Sequence, residues 1–151
     1  MAGHTVRLVA IQRIAGRDLW VLPATFRDLR ALARLQRACF ERRQAYSFFA
    51  FLVLWLWPGV RVLVARVGDE LVGSIVGDRR GRHARVLNLC VSPAWRRRGI
   101  GTVLLAALER ELAADLYTLM VEDKNAPAFA LYRRFGYVPV AEIRNYRRLQ
   151  R

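Results

Sequence analysis

A short run of arginines and glycines, residues 96–102, holds the residue types best suited to chemistry in this chain. Its spacing is Arg96-x-x-Gly99-x-Gly101, and it follows the apolar stretch VLNLCV and precedes the helix-forming run TVLLAALEREL. Glycine lacks a Cβ atom, so backbone N–H groups there can approach a ligand closely. A helix N-terminus adds unpaired N–H donors and a partial positive charge. The segment therefore predicts a site for phosphate groups, to which the arginines contribute charge and forked donors.

The same spacing also fits a surface turn with solvated arginines, so the segment alone leaves two interpretations open. It is not a Walker loop, because no Gly-Lys-Ser or Gly-Lys-Thr follows the glycines. It is not a dinucleotide fingerprint either, because the G-x-G-x-x-G spacing is absent.

Composition indicates a globular domain that attracts anions. The chain has 151 residues, of which 54% are apolar, and a formal charge of +14. We expect a single domain over residues 1–151. Of the basic residues, 25 are arginine and one is Lys124. This charge favours phosphorylated cofactors, acidic peptides or nucleic acid, although scattered arginines are also typical of a compositional bias.

Cysteines and histidines are too few for a metal centre or a disulfide framework. Cys39 and Cys90 have no paired or metal-ligand spacing, and the histidines are His4 and His83 alone. We therefore expect no bound metal and a reduced, cytoplasmic setting.

An apolar, aromatic run over residues 45–57 is the most hydrophobic part of the chain. It has 13 residues, whereas a membrane span needs about 20. The run predicts a buried helix rather than a membrane span, and a surface for a hydrophobic partner is the alternative.

Hydrophobic periodicity and capping residues predict the order β-β-α-α-β-β-β-α-β-α-β-β. Thr25 with Asp28 forms a capping-box pattern, Asn125 and Pro127 start a later helix, and residues 77–83 are expected to be a polar loop. The predicted strands cover residues 5–12, 19–22, 60–67, 71–76, 84–91, 116–121, 137–141 and 143–149, and the helices 25–44, 46–56, 102–114 and 126–135. Strands flank helices throughout, which predicts a mixed α/β fold around one central sheet.

Three segments carry a resemblance to a known family. They are the hairpin VLVARVGDELVGSIVG, the strand, loop and helix LNLCVSPAWRRRGIGTVLLAAL, and the later NAPAFALYRRFGY. In this order and spacing they resemble the GNAT N-acetyltransferases, which move an acetyl group from acetyl-coenzyme A to an amine. The likeness implies the GNAT fold: a central mixed, mostly antiparallel sheet of six to seven strands with splayed middle strands, flanked by about four helices.

The resemblance also implies roles for individual residues. The arginine and glycine segment would wrap the coenzyme A pyrophosphate, and the strand before it would bond the pantetheine arm and polarise the thioester carbonyl. Tyr132 would protonate the departing thiolate as general acid, with a core aromatic as the alternative. Asn125 would contact the coenzyme A arm, with a helix cap as the alternative. The implied cofactor-binding residues are Leu89, Cys90, Val91, Arg96, Arg97, Arg98, Gly99, Ile100, Gly101, Thr102 and Asn125.

Within the family, the chain is most similar to N-terminal protein acetyltransferases, including the ribosomal-protein alanine type. The likeness rests on Leu119-x-Val121 and on Arg144-x-Tyr146. In that subgroup a tyrosine-bearing hairpin helps to enclose the start of the acceptor peptide, so Tyr146 is a candidate substrate-binding residue. Two adjacent tyrosines are common there, and Arg147 takes the second place in this chain.

The position of the expected general base is occupied by a residue that cannot act as one. The subgroup often has a glutamate twelve residues before the acid tyrosine, where this chain has Met120. Glu122 lies on the same strand face, about 6–7 Å further along. It is the candidate base, and a solvated charge at a strand end is the alternative. Glu142 and a water relayed by Asn88 are weaker candidates.

A site without a strong base favours an N-terminal amine as acceptor. An α-amino group has a pKa near 7.7–8, so roughly a tenth of it is neutral at pH 7. A lysine amine with a pKa near 10.4 is neutral only to about four parts in ten thousand. The acceptor is therefore expected to be a peptide or protein N-terminus, with a ribosomal protein as one candidate, whose amine attacks acetyl-coenzyme A directly in a ternary complex.

Two other functions remain open from the sequence. One is a small-molecule amine acetyltransferase, and the other is a non-catalytic module that binds coenzyme A or nucleic acid. Recognition of single-stranded bases commonly uses aromatic side chains among basic ones, and no such interleaving is evident. We therefore expect no specific nucleic acid partner, and a monomer or homodimer.

Overall fold

A computed structural model describes residues 7–41, 44–143 and 146–151, with the backbone alone for Ile143 and Tyr146. The elements are β1 (Ala10–Ile14), β2 (Arg17–Pro23), α1 (Leu29–Cys39), α2 (Phe48–Leu56), β3 (Val60–Val67), β4 (Glu70–Arg80), β5 (His83–Val91), α3 (Ile100–Leu112), β6 (Leu116–Glu122), α4 (Ala126–Arg134), β7 (Val138–Ile143) and β8 (Tyr146–Gln150). The predicted order of elements is confirmed.

The strands form one sheet in the order β1-β2-β3-β4-β5-β6-β8-β7. The pair β5–β6 is parallel and the other neighbours are antiparallel. The predicted mixed, mostly antiparallel sheet is therefore confirmed. Among the described residues the sheet has eight strands, as the predicted element order has, and more than the six to seven that the family resemblance implied.

Helix boundaries differ from the predictions at the first two helices. The backbone N–H of Thr25 donates to the Asp28 carboxylate at 2.7 Å, so the predicted cap is present and leads through a 3₁₀ turn into α1. Helix α1 ends at Cys39, short of the predicted residue 44. Helix α2 begins at Phe48, where the Ser47 hydroxyl accepts from a backbone N–H.

The polar loop predicted over residues 77–83 is wrong, because β4 and β5 continue through it. Asp78 pairs with Arg85 in the ladder, and the Arg85 Nε donates to the buried Asp78 carboxylate at 3.0 Å. Because each charge has a partner, these two polar residues can occupy strand positions where apolar residues are usual. Gly77 lies here too: a Cβ would come within 2.8 Å of the Arg85 carbonyl oxygen and 2.7 Å of Leu108. The glycine therefore lets α3 approach the sheet closely.

Two apolar clusters cover the two faces of the sheet. Along β3, Leu63 and Ala65 belong to the cluster beneath α3, whereas Val62 and Val64 belong to the cluster beneath α1 and α2. Successive strand residues point to opposite faces, so α3 packs on one side and α1 with α2 on the other. The result is a three-layer arrangement with the sheet in the middle.

Strands β5 and β6 separate partway along their length. Their parallel pairing joins residues 83–86 to residues 116–119 and stops there. On the other side of β5 the register with β4 shifts at this point, since Val76 faces Asn88 and Gly77 faces Val86. Leu87 is thus an extra residue in the ladder, a β-bulge that bends β5. The expected splay is confirmed, and it opens a V between the carboxyl ends of β5 and β6.

The described part of the chain contains no helix of the length and apolarity that a bilayer crossing requires. Within those same residues, His, Cys, Asp and Glu side chains form no group that could hold a metal ion.

Candidate active site

The β5 edge of the V carries backbone groups that the sheet leaves unpaired. The Ser92 N–H donates to the Val72 carbonyl at 2.8 Å. Because hydrogen-bonded and non-hydrogen-bonded pairs alternate in an antiparallel ladder, the backbone of Cys90 turns toward β4 and those of Leu89 and Val91 turn toward the V. Two of the three predicted strand residues therefore present main-chain donors and acceptors at this edge.

The Val91 carbonyl marks the mouth of the V and accepts from two side chains. Arg96 Nε lies 3.2 Å from this oxygen, and Cys39 Sγ lies 3.3 Å from it. Arg96 is therefore partly engaged in holding the loop against β5, while Cys39 brings the end of α1 to the same point.

The loop between β5 and α3 has the geometry of an anion cradle. Arg97 and Gly99 both have positive φ, 63° and 82°, and Gly99 is the residue before α3. The first helical bond runs from the Val103 N–H to the Gly99 carbonyl. The N–H groups of residues 100–102 therefore have no partner within the helix. A Cβ on Gly99 would have no atom within 4 Å, so the cradle opens to solvent.

Trp95 anchors this loop to the protein. Its ring is buried, and its Nε1 donates to a carboxylate oxygen of Glu70 at 3.1 Å. The Arg98 guanidinium lies 4.8 Å from the indole centroid, within the range of a cation–π interaction. These contacts of Trp95 fix the position of the loop. The exposed Arg97 has no carboxylate partner in the described residues.

Gly101 has a packing role that its place in the motif did not indicate. A Cβ there would come 2.9 Å from Leu131 and 3.9 Å from Leu89. The missing side chain therefore lets α4 and β5 approach the first turn of α3. Thr102, one residue on, is exposed at the same helix end.

Helix α4 carries both residues predicted for it. Asn125 caps the helix, and its Oδ1 accepts from the Ala128 N–H at 3.2 Å. Tyr132 is buried, with its ring centroid 5.8 Å from that of Tyr137. A tyrosine is protonated at neutral pH even at its usual pKa near 10, and burial raises the pKa of Tyr132 further. Such a hydroxyl can donate a proton to a leaving group and cannot serve as a base.

Glu122 ends β6 at the V, and a residue that follows α1 holds its side chain in place. The side-chain amide of Gln44 donates to Glu122 Oε1 at 2.6 Å. Met120 lies one strand period earlier on the same face and is exposed. A half-buried carboxylate with one oxygen fixed by an amide retains acceptor sites for an incoming ammonium group.

The two weaker base candidates are less suitably placed. Glu142 is highly exposed, at 79%, and lies 4.0 Å from Arg147. The Asn88 amide is engaged at both ends by Gln36, accepting at 2.7 Å and donating at 3.2 Å. Neither group combines proximity to the V with a free proton acceptor.

The candidate substrate-binding residue, Tyr146, faces Glu122 in the register of β6 and β8. The position of its side chain lies outside the described structure. Its neighbour Arg147 bonds Asp123 through Nε at 2.9 Å and lies over the Phe129 ring at 5.1 Å. These contacts hold β8 against the connection between β6 and α4.

Sequence reasoning missed a thiol pair at the mouth of the V. Cys90 Sγ donates to the Leu35 carbonyl one helical turn before Cys39, which places the two thiols side by side. The neighbouring Cys90 thiol, aided by Arg96, lowers the pKa of Cys39 to about 7, while the same neighbour interaction and burial raise the pKa of Cys90. The two cysteines are 51 residues apart, and no local pattern links them. The same holds for Gln44 and Glu122.

Comparison with known proteins agrees with this geometry. The acetyltransferase (GNAT) family model matches residues 29–137, which span α1 through α4. The chain therefore belongs to the GNAT acetyltransferase family.

Solved structures share the fold at low sequence identity. The PaiA N-acetyltransferase of Thermoplasma acidophilum, solved in complex with coenzyme A, superposes with a TM-score of 0.82 at 18% identity, covering 88% of this chain and 98% of that one. The ribosomal-protein-S18-alanine N-acetyltransferase of Escherichia coli gives 0.76 at 18% identity, covering 87% and 90%.

Among curated relatives, the L-amino acid N-acetyltransferase of Escherichia coli K12 is 30% identical over 88 residues, which is 53% of this chain and 54% of that protein. The match thus extends over about half the length of that relative.

Proposed function

We propose that the protein is an acetyl-coenzyme A-dependent N-acetyltransferase whose acceptor is an α-amine. The first candidate acceptor is the α-amine of a peptide or protein N-terminus. The observation that supports this most directly is the line formed by the backbone groups that β4 leaves unpaired at Leu89 and Val91, followed by the free N–H groups at the N-terminus of α3. A linear amide-containing arm that ends in a diphosphate matches such a line in both shape and charge.

The cofactor-binding role falls to the V and the cradle together. Leu89 and Val91 bond the amides of the pantetheine arm in the manner of a neighbouring strand, and residues 100–102 donate N–H groups to the diphosphate. Arg97 and Arg98 add positive charge at the rim. The bound thioester supplies the activated acetyl group, and the protein fixes its position and its protonation chemistry.

Proton transfer is assigned to one residue on each side of the V. Tyr132, whose phenol is protonated at neutral pH, donates its proton to the departing sulfur. Glu122, with Gln44 holding one oxygen, accepts a proton from the ammonium group of the acceptor, and the neutral amine that results attacks the thioester carbonyl. An α-ammonium group has a pKa close enough to neutrality that a modest carboxylate base is sufficient.

Free L-amino acids form a second acceptor class, favoured by the name of the relative from Escherichia coli K12. They share the free α-amine with a peptide N-terminus and differ in the carboxylate beside it. We place the enzyme in the cytoplasm, where acetyl-coenzyme A is supplied, as a monomer or homodimer.

Two measurements test the proposal in sequence. Calorimetry with acetyl-coenzyme A should give saturable binding, and no heat at millimolar concentration would overturn the function. Mass spectrometry should then find acetyl groups on the α-amine of free peptides, with no product from N-blocked peptides that carry an internal lysine. Product from amino acids alone would assign the second acceptor class, and product on lysine would contradict the α-amine proposal.

A further inference from the structure

Helix α1 presents a row of arginines on the side that faces away from the sheet. Arg30, Arg34 and Arg37 have the spacing i, i+4, i+7, which lines one helix face, and all three are exposed. The opposite side of the helix is buried by Leu29, Leu32, Leu35 and Gln36. We call these three arginines the basic stripe.

Helix α2 presents an apolar row with the same spacing. Phe49, Val53 and Leu56 are 74%, 55% and 66% exposed, whereas Phe51 is the residue of α2 that is fully buried. We call these three residues the apolar stripe. Because α1 and α2 cover the same face of the sheet, both stripes point to the same solvent side.

A groove of about 800 Å³ lies between α1 and residues 45–49, which lead into the first turn of α2. The basic stripe forms one wall, and the aromatic rings of Tyr46, Phe48 and Phe49 form part of the other. A concave surface with cationic side chains on one wall and aromatic rings on the other is typical of a binding site for an amphipathic polypeptide.

The charge of the basic stripe is not neutralised by neighbouring carboxylates. From residue 29 to residue 56 the sequence contains one acidic residue, Glu41. Asp28, just before α1, is buried and paired with Arg66. Within the described residues, no carboxylate forms an ion pair with Arg30, Arg34 or Arg37. The groove therefore has an unsatisfied preference for anions beside an unsatisfied apolar surface.

We propose that this face is a docking site for an amphipathic segment of a partner protein, with carboxylates along one side and apolar side chains along the other. The three arginines span about 10 Å along the helix axis, seven residues at 1.5 Å each. A partner helix with acidic residues at i, i+4 and i+7 would match this length. The inference does not depend on the acetyltransferase reaction.

Other occupants fit the same face less well. A second copy of the chain, itself carrying +14, would bring like charges together. A nucleic acid would satisfy the arginines and leave the apolar stripe in water. A flat bilayer surface does not fill a concave groove, although anionic headgroups share the chemistry of the carboxylate.

The groove is connected to the candidate active site. The Tyr46 backbone N–H donates to Gln36 Oε1 at 3.4 Å, and the Tyr46 hydroxyl donates to the Leu87 carbonyl at 3.5 Å. Leu87 is the bulged residue where β5 leaves β6. A docked partner would therefore lie directly outside the V.

The test uses a fluorescent helical peptide with glutamates at i, i+4 and i+7 and leucines on the adjacent face. Fluorescence anisotropy should show saturable binding by the intact protein, at least tenfold tighter than for the same peptide with lysines. The triple variant Arg30→Gln, Arg34→Gln, Arg37→Gln should weaken binding at least tenfold. A charge-matched control, Arg80→Gln, Arg110→Gln, Arg134→Gln, should change it less than threefold.

The apolar stripe has its own pair of variants. Val53→Ser with Leu56→Ser should weaken peptide binding about tenfold, whereas Val138→Ser with Val140→Ser, at similarly exposed sites on β7, should leave it unchanged. Circular dichroism and calorimetry with acetyl-coenzyme A report whether each variant is folded.

Three results would overturn the proposal. The first is no peptide binding at 1 mM, and the second is an equal effect of the stripe and control variants. The third is tighter binding of phosphatidylglycerol vesicles or of a single-stranded oligonucleotide with the same dependence on the stripes. That result would assign the face to a membrane or to nucleic acid.

Discussion

The side-chain amide of Gln44 donates to the Glu122 carboxylate at 2.6 Å, although 78 positions separate the two residues in the sequence. Gln44 follows α1 and Glu122 ends β6, so the bond links the helical layer to the V. It holds one carboxylate oxygen and leaves the other available. This arrangement makes Glu122 the best-placed proton acceptor among the candidates.

Replacing Glu122 by Gln should lower kcat/KM for a peptide α-amine about 100-fold at pH 7, in the range of a lost general base. The loss should shrink as the pH rises toward 9, because the neutral fraction of the amine then grows without a base. Steady-state kinetics across this pH range give the result. Glu142→Gln is the matched control and should retain activity. An equal loss in both variants would remove Glu122 from the mechanism.

Tyr132→Phe should lower kcat about 100-fold and leave the affinity for acetyl-coenzyme A nearly unchanged, because the hydroxyl acts on the departing thiolate. Since burial raises the pKa of Tyr132, the wild-type enzyme should show no loss of activity from its ionisation up to about pH 9. Kinetics and calorimetry separate the two quantities. Unchanged kcat would leave Tyr132 as a core aromatic.

Tyr137→Phe tests a different property of the same aromatic pair. The Tyr137 hydroxyl is buried without a hydrogen-bond partner in the described structure. An unpaired buried hydroxyl costs free energy, so the substitution should raise the free energy of unfolding by about 1 kcal/mol. Urea denaturation measures the change. A loss of stability would mean that the hydroxyl has a partner.

Gly99→Glu should abolish detectable binding of acetyl-coenzyme A, because it places a carboxylate in the anion cradle. Gly81→Glu is a matched control. Both glycines have positive φ, 82° and 59°, and at both a Cβ would meet no atom within 4 Å. The two variants therefore share the backbone strain and the change in charge. Calorimetry should find wild-type affinity for Gly81→Glu alone, and equal affinities would contradict the cradle.

Cys39 should react with iodoacetamide with a midpoint near pH 7, because the neighbouring Cys90 thiol and then Arg96 lower its pKa to about 7. Alkylation requires the thiolate, so the rate should rise through this midpoint and then level off. Arg96→Gln should move the midpoint upward. In Cys39→Ser protein, Cys90 should stay unlabelled, since its pKa is raised and it is buried. A midpoint near 8.5 would show that Cys39 is an ordinary thiol.

Local patterns predicted the element order, the caps at Thr25 and Asn125, and the cradle at the start of α3. These features depend on residues close in sequence, where turn, capping and periodicity rules apply. The splay of β5 and β6 came from the family resemblance rather than from the residues themselves.

What the sequence could not predict depends on pairs of distant residues. Asp78 belongs to a segment predicted as a polar loop, and only the ladder places it opposite Arg85 of the neighbouring strand. The contact of Gly101 with Leu131, the thiol pair and the Gln44–Glu122 bond arise only when α1, β5, β6 and α4 pack together. Contacts between such distant residues produce no periodic pattern in the sequence.

The parallel seam between β5 and β6 consists of four residue pairs, from His83 with Leu116 to Val86 with Leu119. Within the sheet, β6, β7 and β8 are attached to the larger part through this seam alone. The last quarter of the chain, residues 116–151, is therefore expected to separate from the rest of the sheet more readily than the antiparallel strands separate from one another. A ligand bound between β5 and β6 would connect the two parts of the sheet. Amide hydrogen exchange in β6 and β8 should therefore slow as the fraction of protein with bound ligand rises.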